Sequence, residues 1–180
     1  MRYVCWLLLS VFVFTGHIST CKAQAIFQQL STSDGLSHNT VQDLLQDRKG
    51  FLWFATTDGL NRFDGINFQI YRRSLSDKRS LSSNEVTCLL EDKKGRIWLG
   101  TRSGGISQFD SSGTHFNHLK KTIGGVDIST AVITSVTEDQ KGKLWAGTHG
   151  SGLLLIDPNT KNATQLPLRI MLFRGITSCV

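Results

Sequence analysis

Four kinds of side chain in this sequence could do chemistry, and in each case the spacing decides which chemistry it is. Asp47, Asp92 and Asp139 open D-x-x-G segments, where a carboxylate can ligate calcium or accept backbone N–H groups across a turn. A single carboxylate flanked by lysines, as in Asp92-Lys93-Lys94-Gly95, lacks the clustered oxygens that calcium needs, so turn chemistry is expected. Gly50, Gly95 and Gly142 then take the positive φ that closes each turn. Trp53, Trp98 and Trp145 could stack on a ligand, but their one fixed place after every such turn favours packing between repeating units. His115 and His118, three apart in a strand-like stretch, point to opposite faces and cannot chelate one metal.

Nucleophilic and phosphate chemistry find no support. Gly150-Ser151-Gly152 is a short glycine turn rather than G-x-S-x-G, and no Ser, His and acid set accompanies it. Gly124-Gly125 lacks the strand, helix and lysine of a phosphate cradle. Cys5 and Cys21 fall in the leading segment, and Cys88 and Cys179 are too few for a disulfide framework or a zinc site. Cys88 sits in an apolar strand pattern and reads as a buried free thiol. These patterns imply no catalytic residue, no metal and no cofactor.

The same residues identify the elements that must hold them. Trp53, Trp98 and Trp145 stand 45 and 47 residues apart within three aligned copies. The copies begin at Val41, Val86 and Ile133, and each then carries Asp, Gly, Trp and Thr at the same offsets: Asp47, Gly50, Trp53, Thr56; Asp92, Gly95, Trp98, Thr101; Asp139, Gly142, Trp145, Thr148. Each continues through a glycine turn into a short strand ending in Asp, at 59–64, 105–110 and 152–157, and then into a further strand such as Phe68-Gln69-Ile70-Tyr71 or Phe116-Asn117-His118-Leu119. Four short strands per period of about 45 residues make one antiparallel blade. The fold class is therefore all-β: a partial β-propeller of about three four-stranded antiparallel blades plus an orphan N-terminal strand.

The chain divides accordingly. Residues 1–25 read as a signal peptide, with Arg2 before the apolar run 4–14 and Ala23-Gln24-Ala25 as the cleavage pattern; an uncleaved anchor or a lipidated Cys21 are the alternatives. Residues 26–40 hold the orphan outer strand Phe27-Gln28-Gln29-Leu30 and the loop after it. Residues 41–84, 85–131 and 132–175 are blades 1 to 3, and 176–180, whose Ile176-Thr177-Ser178 echoes Ile133-Thr134-Ser135, reads as the start of a truncated fourth repeat. The net charge of +6 is partly carried by the leader and by turn residues such as Arg48, Lys49, Lys93 and Lys94, expected as a solvated rim. No stretch interleaves clustered Lys and Arg with aromatics, which argues against nucleic acid as a partner.

The pattern D-x-x-G-x-[LI]-W-x-[GA]-T-x-x-G-[LI]-x-x-[FI]-D resembles the two-component regulator propeller repeat, and Asp34-Gly35-Leu36-Ser37-His38-Asn39 resembles the lead into that family's first blades. The resemblance runs from Phe27 to about Asp157. It departs at Ala55, which stands where Gly100 and Gly147 stand in the other copies, and in the Gly59 loop, one residue shorter than those at Gly105 and Gly152. It implies the periplasmic sensor of a bacterial hybrid two-component system, of the kind that governs polysaccharide use in Bacteroides-like bacteria. Any histidine kinase activity would belong to other parts of a parent protein, and membrane contact only to an anchor.

A meander puts the turn between the second and third strands at the same end as the connection to the next blade, and these longer, varied loops are where specificity belongs. The candidate ligand-binding residues there are His38, Arg72, Arg73, Arg79, Asn84, Arg102 and His149. The expected function is ligand sensing, with an oligosaccharide as the possible ligand and the remaining blades and kinase of the parent as partners. A secreted propeller enzyme of lyase or quinoprotein type is one alternative, and a truncated fragment without independent activity is another.

Overall fold

The computed structural model describes residues 29–110 and 113–166. The expected signal peptide and the fourth-copy start at 176–180 lie outside the described residues, as do Phe27 and Gln28 of the orphan strand; Gln29 and Leu30 lie in no strand. A 3-10 turn, Thr32–Asp34, precedes twelve strands. The first sheet is β1 (Val41–Gln46), β2 (Leu52–Thr56), β3 (Gly59–Phe63) and β4 (Phe68–Tyr71). The second is β5 (Val86–Glu91), β6 (Ile97–Thr101), β7 (Ile106–Phe109) and β8 (Phe116–His118), and the third is β9 (Ile133–Glu138), β10 (Leu144–Thr148), β11 (Leu153–Asp157) and β12 (Asn162–Leu166). Every sheet is an antiparallel meander in sequence order, and the first strands β1, β5 and β9 lie side by side as the inner edges of three blades.

One carboxylate organises each blade. Asp47 Oδ1 accepts the N–H groups of Lys49 and Phe51 at 3.0 and 2.9 Å, while Oδ2 accepts the indole N–H of Trp53 at 2.8 Å. Asp92 repeats this with Lys94, Arg96 and Trp98, and Asp139 with Lys141, Lys143 and Trp145. The turn closes through Gly50 at φ 89°, Gly95 at 77° and Gly142 at 75°, a backbone region in which a Cβ is strained. At the other end of the second strand Thr56, Thr101 and Thr148 donate their hydroxyls to the carbonyls of Gly59, Gly105 and Gly152. The turn reading of the repeated Asp and Gly therefore extends to Trp and Thr, each of which also carries a hydrogen bond.

Alternation along the strands gives every blade two faces. Trp53, Ala55, Leu60 and Tyr71 from blade 1 pack against Val86, Leu89, Ile97, Leu99 and Phe116 from blade 2. Cys88, Trp98 and Ile106 on the far side of blade 2 pack against Ile133, Leu144, Ala146, Leu154 and Ile156 from blade 3. Trp53 and Trp98 are thus buried, whereas Trp145 is half-buried on the outward face of blade 3. Burying an indole removes on the order of 200 Å² from water, worth at most about 5 kcal/mol. The Asp–Trp bond is made within a blade, but the burial comes only from the next one.

The charged turn residues do more than the expected rim. Arg48 donates to the carbonyls of Asp92 and Lys93, and its N–H meets Glu91 Oε2. One period later Lys93 donates to the carbonyls of Asp139 and Gln140, and its N–H meets Glu138 Oε2. Each D-x-x-G turn therefore clasps the next, although the Arg48 side chain is 57% exposed. Asp43 Oδ2 also accepts the Leu89 N–H, at 2.8 Å.

Gly100 explains the Ala55 departure. A Cβ on Gly100 would lie 2.5 Å from Ile133 Cγ2 and 2.6 Å from Cys88 Sγ. In blade 1 the matching neighbours are Val86 and Asp43, and Asp43 reaches away to Leu89, which leaves room for a methyl.

Two substitutions test this frame by urea denaturation of the chain. Asp92→Ala leaves a buried indole and two turn N–H groups without an acceptor and should cost about 3 kcal/mol or more. Gly100→Ala overpacks the second interface and should cost about 1–3 kcal/mol. A change below about 0.5 kcal/mol at either position would show that the carboxylate or the close approach is dispensable.

Candidate functional site

The loops of the upper end, between the second and third strands and between blades, bring four of the seven candidate residues together. Arg72 Nε and Nη2 reach Asp58 Oδ2 at 3.2 and 3.0 Å, and Asn84 Nδ2 donates to Asp58 Oδ1 at 3.2 Å. Asn84 Oδ1 accepts the Arg73 N–H at 2.7 Å, and the Asn84 carbonyl accepts the Gly59 N–H at 2.7 Å. His38 stands alongside, its Nδ1 accepting the Thr40 N–H and lying 2.9 Å from the Thr57 hydroxyl. Asp58 and Asn84 thus tie the inner turn of blade 1 to the linker that enters blade 2. Arg72 and Asn84 spend their polar groups on this tie, while the Arg73 side chain stays exposed in solvent.

The other three candidates stand apart. Arg102 pairs with Glu85 Oε1 at 3.5 Å, one residue beyond Asn84, and donates its N–H to the Glu85 carbonyl. Its 64% exposed side chain makes it the nearest extension of the blade 1 cluster. His149 lines a hollow of about 200 Å³ above blade 3 with Asp127, Ser151 and Gln165. Arg79 lies along the outer strand of blade 2, where its carbonyl accepts the Phe116 N–H. Glu85, absent from the residues expected at this end, directly follows Asn84. Its signal was a carboxylate in a connection otherwise rich in cations and hydroxyls.

A second concavity opens at the lower end, among the D-x-x-G turns and the turns between third and fourth strands. This concavity of about 360 Å³ runs along the lower rim of all three blades, bordered by Phe51, Trp53, Arg62 and Phe109 at the first seam and by Gln108, Asn117, Asn159 and Lys161 at the second. Sequence reasoning overlooked it, because these turns repeat and the varied loops lie at the opposite end. The signal was the residue paired with each repeat tryptophan, which is Arg62, Gln108 and Leu155 in the three blades.

Ser107 and His118 deserve comparison with a nucleophile and its base, since Ser107 Oγ lies 2.7 Å from His118 Nδ1. Ser107 is fully buried, so no substrate can reach it. His115 meets the hydroxyl of its neighbour Thr114 instead. Burial pushes the Cys88 thiol up to about 11, which keeps it protonated and unreactive. Among the described residues no group of three or more His, Cys, Asp or Glu gathers at a distance suited to a metal.

Known proteins match the repeat and the fold. The model of the two component regulator propeller family matches residues 35–58, 80–103 and 127–150, one stretch around the turn and tryptophan of each blade. Histidine kinase P4 of Formosa agariphila is 44% identical over 71 residues, which are 38% of this chain and 5% of the kinase. The extracellular domain of BT3049 from B. thetaiotaomicron, described as a hybrid two component system, superposes with a TM-score of 0.70 at 30% identity, over 77% of this chain and 20% of that one. The chain therefore spans a small part of either relative. The agreement in fold and repeat register is what identifies the three blades as propeller blades.

His118 supplies a pH test of the upper end. Burial lowers its pKa below the ordinary 6.5, with the charge of Lys120 acting the same way and the carbonyls of Ser80 and Lys78 opposing. The folded chain thus holds the ring neutral while the unfolded chain binds the proton, so stability is lost as the pH falls through about 6.5. The urea midpoint should drop between pH 7.5 and 5.5, and His118→Gln should flatten that dependence. An equal pH slope in the variant would assign it to other groups.

Proposed function

We propose that this chain, which carries three two-component regulator propeller repeats, is part of the extracytoplasmic ligand-reading domain of a hybrid two-component sensor, and that it reads an oligosaccharide. The observation that supports this reading most directly is the contrast between the two kinds of loop. Turn and packing residues recur at one offset in every blade, whereas the upper end presents Asp58, Arg72 and Asn84 in blade 1, Glu85 and Arg102 at blade 2 and His149 in blade 3. In a stack of equivalent units, selectivity can reside only where the units differ.

The mechanism we attach to it is a shift in the arrangement of blades. Arg73, Arg102 and His149 are exposed donors on successive blades, so a polyhydroxylated chain lying across them would contact more than one blade at once. The tie from Asp58 to Asn84 holds the linker into blade 2 at the upper end, and the clasps from Arg48 to Asp92 and from Lys93 to Asp139 join blade 1 to 2 and blade 2 to 3 at the lower end. A ligand moves such an equilibrium only by binding one arrangement more tightly than the other. Phosphotransfer is assigned to other parts of the parent protein. Leu44, 56% exposed on blade 1, and the half-buried Trp145 on blade 3 are apolar groups on outward faces, and we place further blades of the same repeat against them.

Calorimetric titration of the chain with neutral and acidic oligosaccharides tests this reading. A cognate ligand should bind saturably, and Arg73→Ala and Arg102→Ala should each weaken it about 10-fold or more, the loss expected for a charged hydrogen bond. Affinity unchanged in both variants would remove the upper end from recognition. Turnover of any member of the panel would instead favour an enzyme.

A further inference from the structure

Two loops beside the outer strands β8 and β12 hold aliphatic side chains out in solvent. The linker that enters blade 2 carries Leu75, 90% exposed, and the hairpin that leaves it carries Ile123, 70% exposed, with Val126 close behind. Both loops are held in shape by hydrogen bonds. Ser80 Oγ accepts the Ser74 N–H at 2.8 Å and donates to the Asp77 carbonyl at 2.6 Å, which closes the linker behind Leu75. The Thr122 N–H reaches the Val126 carbonyl at 2.9 Å, Gly125 turns at φ 81°, and the Ile123 N–H is pinned to the Ala163 carbonyl of β12 at 2.7 Å. A single exposed aliphatic group is ordinary on a protein surface, but two built loops that hold such groups outward on one rim point to a partner.

Charge narrows the partner. Residues 73–79 and 120–127 hold Arg73, Lys78, Arg79, Lys120 and Lys121 against only Asp77 and Asp127. Arg73, Leu75, Lys78, His118 and Lys120 border one hollow of about 250 Å³, which brings the entering linker and the start of the leaving hairpin to one place. Lys78, Arg79 and Lys120 are exposed and make no ion pair among the described residues. The two carboxylates serve their own turns, Asp77 Oδ1 accepting the Arg79 N–H at 2.9 Å and Asp127 Oδ1 the Ser129 N–H at 2.8 Å. Neither segment contains a Trp, Tyr, Phe or Met, the side chains that anchor protein interfaces. Aliphatic tips ringed by Lys and Arg match instead the boundary between lipid phosphates and acyl chains, where apolar burial and attraction to anionic headgroups act together.

We infer that this rim docks on an anionic bilayer surface, with Leu75 and Ile123 entering the headgroup boundary and Lys78, Arg79 and Lys120 meeting lipid phosphates. The contact sets the blades edge-on to the bilayer, because both loops lie beside outer strands, and it leaves the turns at the upper and lower ends open. It is made by the folded blades themselves, apart from any anchor, and stands whether or not the upper end binds an oligosaccharide. Each cation near an anionic leaflet strengthens binding about 5-fold, a contribution that salt screens, while the aliphatic tips add one that salt does not.

The test is sedimentation of the full chain with vesicles of equimolar phosphatidylglycerol and phosphatidylcholine, using phosphatidylcholine vesicles and soluble polyglutamate as comparison probes. The apolar run 4–14 is common to every variant, so differences between variants report the loops. The anionic vesicles should bind about 10-fold or more tightly than phosphatidylcholine alone. Lys78→Glu combined with Lys120→Glu should weaken that binding about 10-fold or more, and Leu75→Ser combined with Ile123→Ser about 5-fold or more. Equal binding to the two kinds of vesicle, or unchanged binding in either double variant, would overturn the proposal. Polyglutamate binding as tight as vesicle binding and indifferent to the serine substitutions would make the rim a site for an acidic protein and overturn it as well. Should a double variant fail to fold, Leu75→Trp decides: its emission, beyond that of the unaltered chain, should shift to the blue with anionic vesicles, and an unshifted emission overturns the docking.

Discussion

A single carboxylate shared between a turn and an indole is the constraint from which the rest of this structure follows. Asp47, Asp92 and Asp139 each use one oxygen to hold two backbone N–H groups of a tight turn and the other to hold a tryptophan N–H six residues on. That fixes the turn, the register of the first two strands and the rotamer of the largest apolar side chain in one step. At Asp92 burial by itself would raise the pKa, yet the N–H groups of Arg96 and Trp98 together with the Arg96 guanidinium hold it below the usual carboxylate value. The charged form is therefore part of the fold.

Association of the blades adds what no blade supplies alone. Trp53 is 2% exposed and Trp98 fully buried because a following blade covers them, and the same indole in blade 3 stays half-buried. Polar clasps accompany that burial at the lower end, where Arg48 and Lys93 each take carbonyls of the next turn. An aromatic cluster of Trp53, Tyr71, Phe109 and Phe116 fills the first interface, and the Tyr71 hydroxyl reaches across to the Gly113 carbonyl. The second interface is aliphatic around Trp98, and it depends on the bare backbone of Gly100. Equivalent blades are thus joined by chemically different seams, and the lower concavity runs across the rim of both.

Function on such a scaffold has to use what the repeat leaves unspecified. At the upper end these are the loops, whose lengths and charges differ from blade to blade. At the lower end they are the positions opposite the tryptophans, where strand geometry asks only for a side chain that reaches the rim. Arg62 can sit there because its stem lies on Phe51 and its charge remains at the mouth of the cleft, the usual compromise of a long cationic side chain.

The repeat made the strands, the turns and the all-β blades legible from sequence, because period-two alternation, Asp and Gly at turn positions and a tryptophan at one offset are local signals. The interval from Val41 to Thr56 contains every group that its hairpin needs. Alternation also told which residues share a face, but not which face meets a neighbour. Sequence could therefore not show that Arg48 and Lys93 reach the next turn, that a Cβ at position 100 would strike Ile133 when one at 55 fits, or that Arg72 and Asn84 spend themselves on Asp58. Nor could it bring Arg62 of blade 1 and Lys161 of blade 3 to one rim, since they border the same concavity only when all three blades pack. Short-range hydrogen bonding determined the blades, and the packing of blade on blade, which acts between residues distant in sequence, decided where open polar groups remain.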